Sequence, residues 1–222
     1  MTPNARRLTD RLTRLAAAFI LSTAAMAQSP EPTEAEVAAI AAEVVAHAHW
    51  LDHAARCPAS VMPEQQAPDA GRDTCARGEL KACLARCTAG DGGACYRLAQ
   101  DIQHKTKSQA PGVLFQRSCQ LGVVSGCTNK AAGLSLEKPD DEGNRVCAAQ
   151  TYAKACAFDD AWACTMYALH LGHGIGIQKD KALASQVLEK SCKHGPEDDA
   201  CSSGMKLKSR LQQPERKGAL PK

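Results

Sequence analysis

Residues 119–127 read CQLGVVSGC, and this nine-residue phrase, two cysteines with a glycine three places after the first, decides the fold because the chain repeats it. It returns as CARGELKAC at 75–83 and CTAGDGGAC at 87–95. Two variants follow: CAFDDAWAC at 156–164 has Asp159 where the glycine is expected, and CKHGPEDDAC at 192–201 carries one extra residue. Ten of the twelve cysteines thus fall into local pairs: Cys75 with Cys83, Cys87 with Cys95, Cys119 with Cys127, Cys156 with Cys164 and Cys192 with Cys201. Cys57 and Cys147 remain. Their pairing restores an even count, and two free thiols are the alternative. A cross-link repeated at nearly fixed spacing marks a repeat array.

From Cys87 the phrase restarts after 32, 37 and 36 residues, the length of a helix-turn-helix unit. The clearest unit has a first helix over 161–171, a Gly172-His173-Gly174-Ile175-Gly176 break, and a second helix over 181–192 capped by Asp180. The preceding unit repeats the plan, with a break at 137–140 and a second helix through Val146 and Tyr152. In each copy the first cysteine closes a second helix, the glycine takes the left-handed conformation that ends it, and the second cysteine enters the next first helix. Each disulfide therefore pins one repeat to its successor. Register agrees: Ala99, Ala131 and Ala168 follow the second cysteine by four residues, and Ile102, Leu134 and Leu171 follow it by seven, one face for close approach and core filling. The Cys75–Cys83 copy does not fit this plan, because Cys87 follows Cys75 by only 12 residues.

Upstream, residues 1–27 read as a secretory signal peptide, with Arg6, Arg7, Arg11 and Arg14 before an apolar run and an Ala25-Met26-Ala27 cleavage pattern. The apolar run is well short of the roughly 20 residues that span a bilayer. The leader holds four of the 27 basic and one of the 24 acidic residues, so the rest of the chain is balanced in charge. That balance gives no electrostatic basis for binding nucleic acid or an anionic membrane. Twelve cysteines in an exported chain read as disulfides of a periplasmic or secreted protein. Residues 28–57 form an N-terminal helix, with Thr33 and Glu36 as a capping box, and the proline-rich 58–74 reads as a linker. The array occupies 75–211 with a capping helix at its end, and 212–222 is a flexible basic tail.

The phrase ACTMYALHLGHGIGIQKDKALASQVLEKSC at 163–192 resembles the consensus of the Sel-1-like repeat family, relatives of the tetratricopeptide repeat, over about residues 75–211. The specific relatives it resembles are exported cysteine-rich bacterial repeat proteins, the Hcp beta-lactamase family, whose architecture a mitochondrial cytochrome oxidase assembly factor shares. The resemblance implies an all-α fold, a right-handed α/α solenoid stapled by disulfides, with a concave face lined by first helices. It implies a protein- or peptide-binding scaffold in the cell envelope. As alternatives it implies binding or slow hydrolysis of a beta-lactam or peptidoglycan fragment, or a part in respiratory-complex assembly.

Chemistry-bearing motifs are few. Ser135-x-x-Lys138 and Ser203-x-x-Lys206 match one element of serine beta-lactamases, but 12 serines and 14 lysines produce such matches by chance and the other elements are absent. His47, His49 and His53, with Cys57 one turn on, read as a polar stripe ahead of a metal site. The Gly172–Gly176 run follows a helix and reads as a turn ahead of a phosphate cradle. No cofactor is expected. With Ala99, Ala131 and Ala168 facing inward, Arg97, Asp101, Asn129, Met166 and His170 are the candidate lining of the concave groove.

Overall fold

The computed structural model describes residues 31–66 and 75–213, and residues 1–27, read above as a signal peptide, most of the 58–74 linker's second half and most of the 212–222 tail lie outside them. Among the described residues there are eleven helices and no strand: α1 (Glu34–Ala46), α2 (Ala48–Ala54), α3 (Pro58–Val61), α4 (Leu80–Thr88), α5 (Gly92–Ile102), α6 (Ala110–Gln120), α7 (Val124–Glu137), α8 (Glu142–Ala157), α9 (Ala161–His173), α10 (Lys181–Lys190) and α11 (Asp199–Leu211). From α4 onward each helix packs on the next, the order of an α solenoid. None is long and apolar enough to cross a membrane.

All twelve cysteines are paired, and six disulfides suit an oxidising compartment. Cys87–Cys95, Cys119–Cys127 and Cys156–Cys164 each span a Cα–Cα distance of 4.6 Å, and join α4 to α5, α6 to α7 and α8 to α9. Cys192–Cys201 joins the end of α10 to α11. The residue between them that must turn the chain lies in the left-handed region each time: Gly90 at φ +97°, Gly122 at +89°, Gly195 at +100° and Asp159 at +61°. Asp159 fills that place because an aspartate bears the left-handed conformation better than most side chains.

Aspartates start the helices. Asp91, Asp141, Asp160, Asp180 and Asp198 each accept an amide hydrogen in the first turn of α5, α8, α9, α10 and α11. Thr33 and Glu36 make the reciprocal capping box of α1. The core is built from small and aliphatic side chains. Ala99, Ala131, Ala168, Ile102 and Leu171 are sealed in it, whereas Leu134 is only half-buried.

The N-terminal region departs from one helix and a linker. The helix breaks at His47, whose backbone (φ −76°, ψ 86°) is not helical. Pro58 opens the short helix α3 at its first position, where a proline costs no hydrogen bond. Helices α1 and α2 lie on α6, and α3 lies on α8. Gln116 of α6 donates to the His53 and Arg56 carbonyls at 3.1 and 3.2 Å and so caps α2. Lys154 of α8 donates to the Ala59 and Met62 carbonyls at 3.2 and 2.9 Å and so caps α3. Cys57–Cys147 fastens this segment to α8 across a sequence separation of 90. The second helices α6 and α8 are thus covered, and a cleft stays open across α5, α7 and α9.

The first staple also finds its place. Cys75–Cys83 closes a turn onto the start of α4, and Gly78 in that turn, at φ +85°, donates to Asp101 of α5 at 2.9 Å.

Candidate functional site

The open face carries two adjoining clefts. The first, about 390 Å³, lies across α5, α7 and α9 and is lined by Tyr96, Gln100, Ser125, Thr128, Asn129, Ala132, Asp160, Trp162 and Met166. The second, about 430 Å³, lies between the ends of α7 and α9 and is lined by residues that include Ser135, Glu142, Arg145, Met166, His170 and Ile175. Met166 borders both and makes them one surface.

Hydrogen bonds order the first cleft from below. Ser125 donates to Asp160 at 2.7 Å, tying α7 to the N-cap of α9, while the other Asp160 oxygen accepts from Ala163 N–H at 2.8 Å. Asn129 donates to the Ser125 carbonyl at 2.8 Å and to the Tyr96 hydroxyl at 3.3 Å, bridging α7 to α5. Burial pushes the Tyr96 hydroxyl up, and the Asp160 carboxylate adds to the shift, so Tyr96 is a neutral donor at physiological pH. Trp162 stands at the rim, 47% exposed in a chain with only two tryptophans.

In the second cleft His170 is buried, and its Nδ1 lies 2.9 Å from the Ile175 carbonyl. A carbonyl only accepts, so Nδ1 carries the proton and Nε2 keeps its lone pair. Burial lowers the pKa of the ring and the bond to Ile175 opposes it. Behind His170 the Tyr152 ring stands edge-on at 5.2 Å, fully buried, and burial pushes its hydroxyl up while the Ser135 hydroxyl opposes the shift. Ser135 donates to the Ala131 carbonyl at 3.2 Å.

Of the five side chains read from the sequence as groove-lining, Asn129 and Met166 line the first cleft, and Met166 and His170 the second. Arg97 and Asp101 do not line either. Asp101 is withdrawn under the Cys75–Glu79 turn, its side chain 5% exposed beneath Gly78 and Arg77. The expected face lines the clefts on α7 and α9, whereas on α5 Asp101 is covered by that turn. Tyr96 and Gln100 take the places instead. Trp162 was missed, and its rarity in a chain that is 4% aromatic was the available signal.

The three glycines of the α9–α10 turn have three separate reasons. A methyl group on Gly172 would meet Leu211 of α11 at 2.6 Å, Gly174 ends α9 at φ +73°, and Gly176, at φ +61°, lies against the Arg145 backbone of α8. Within the histidine stripe His49 is exposed and tilts against His53. His47 stacks on Trp50 at 4.2 Å, His53 meets the Gln120 amide of α6, and no cluster of three metal-ligating side chains occurs among the described residues.

No family model matches the chain, and neither a curated protein nor a solved structure matches it.

Proposed function

We propose that the chain is an exported Sel-1-like repeat protein, a right-handed α/α solenoid, whose first-helix face binds an extended peptide or a protein terminus in the cell envelope. The observation that carries this reading is the pairing of the exposed Trp162 and half-buried Met166 with the hydrogen-bonded Tyr96 and Asn129 and the exposed Gln100 amide on the face that the N-terminal helices leave open. An aromatic anchor beside polar groups that meet a peptide backbone is the division of labour found at binding hot spots. Support for the repeat family comes from the four staples, their left-handed turns and the helix-after-helix packing.

The test is a displayed-peptide selection on the oxidised protein, followed by affinity measurement on variants. Trp162→Ala is expected to weaken the selected peptide about 30-fold, a loss of ~2 kcal/mol, without lowering the unfolding midpoint. Equal affinity for the variant would refute the assignment.

A second reading, slow opening of a beta-lactam or binding of a peptidoglycan fragment, is favoured by one observation: Ser135 and the Nε2-basic His170 line the same cleft. Against it, the Ser135 hydroxyl is engaged by Ala131. Hydrolysis of a chromogenic beta-lactam should show no turnover above a reduced, unfolded control. Turnover that disappears in both Ser135→Ala and His170→Ala would establish the enzyme.

A further inference from the structure

Lys130 is the one buried lysine of the array, 7% exposed, on the side of α7 that faces α6. No hydrogen bond or ion pair of its amine occurs among the described residues, and the Glu137 carboxylate only partly offsets the effect of its burial. Burial lowers the pKa of the amine. Unlike the Tyr152 hydroxyl and the Gln116 carbonyl oxygen, its Nζ is not sealed from solvent.

The amine ends beside the first turn of α6. A methyl group on Gly112, the third residue of that helix, would lie 3.4 Å from Lys130 Nζ. Gln109 supplies no side-chain cap there. The Ala110 N–H is taken by the Ser108 hydroxyl at 3.2 Å, and Val113 N–H closes on the Gln109 carbonyl at 3.1 Å. Pro111 has no N–H, so Gly112 N–H is left without a partner inside the helix. The segment leading into this turn brings His104, Lys105 and Lys107, with Lys105 held 3.6 Å from Glu31.

An unpaired ammonium on a buried side chain, set against the positive end of an eleven-residue helix, is unfavourable through the hydration it has given up in part and through the like sign of the helix dipole. An anion between them relieves both, and the free Gly112 N–H gives it a directed donor. We propose that Lys130 and the first turn of α6 form a binding site for a small oxyanion of the phosphate or sulfate class. The site is on the α6 side of α7 and does not depend on what the open face binds.

The test titrates the oxidised protein with inorganic phosphate, with sulfate in parallel and chloride at matched ionic strength as control, and follows the Gly112 amide resonance and the unfolding midpoint. Lys130→Met is the informative variant, since replacing a buried unpaired charge by an apolar side chain of similar length leaves a fold neutral or more stable. Phosphate should shift the Gly112 amide saturably and raise the midpoint, and Lys130→Met should weaken that binding at least tenfold while remaining folded. A chloride response of the same size, an unchanged affinity in Lys130→Met, or no saturable shift would each overturn the proposal.

Discussion

Replacing Cys57 and Cys147 together by alanine should lower the unfolding free energy by about 4 to 5 kcal/mol, the largest loss of any single disulfide in the chain. The pair closes a loop of sequence separation 90, against 8 for Cys119–Cys127. In the chain-entropy account the stabilisation grows with the logarithm of loop length, so removing a short staple should cost only about 2.5 kcal/mol. The long bridge also fastens α3 to α8, where Thr151 accepts the Ala59 N–H at 3.2 Å and Lys154 caps the α3 carbonyls. Those bonds are left to hold the segment unaided once the bridge is gone. Denaturant titration of the Cys57→Ala/Cys147→Ala and Cys119→Ala/Cys127→Ala variants measures both. Equal losses would show that the N-terminal segment is not a structural clamp.

Gly176→Ala should cost about 3 kcal/mol, which is large for the addition of one methyl group. The position has φ +61°, a region that L-residues with a Cβ enter at a cost, and the new methyl would overlap the Arg145 carbonyl and the Val146 nitrogen of α8. Backbone atoms inside a helix cannot step aside as a side-chain tip does. Gly174→Ala makes the comparison, because at φ +73° it bears the left-handed strain but the tightest contact of its methyl is Lys179 Cβ at 3.2 Å, with backbone atoms no nearer than 3.6 Å. The expected loss there is about 1 to 2 kcal/mol. Equal midpoints for the two variants would mean that the α9–α10 turn does not press on α8. The same turn holds Ile175 against His170, so Gly176→Ala should also free the imidazole ring to reorient.

How far the fold was readable follows from where its causes lie. The staples, the left-handed turns after Cys87, Cys119 and Cys192, and the small-residue register at Ala99, Ala131 and Ala168 are local, and each is written within a dozen residues. The wrapping of α1 to α3 over α6 and α8 is not. It depends on Gln116 and Lys154, polar residues some 60 to 95 positions away from the carbonyls they cap. Pro58 illustrates the same limit, since a proline after Cys57 reads equally as a loop marker or as the first residue of a helix. In the candidate site, Asn129, Met166 and His170 were legible because α7 and α9 share one register. Asp101 lies away from the clefts because a non-local turn, Cys75–Glu79, covers it. Trp162 was legible in principle, as an aromatic on the second residue of a helix whose inward positions are alanine.

The claim on which the functional account rests is that the α5, α7 and α9 face is where a partner docks. Amide hydrogen exchange of the oxidised protein, with and without a saturating selected peptide, tests it most directly. The account expects new protection along α5, α7 and α9, centred on Tyr96, Asn129 and Trp162, with α2, α3, α6 and α8 unchanged. Protection confined to α1–α3 or to the second helices would contradict it.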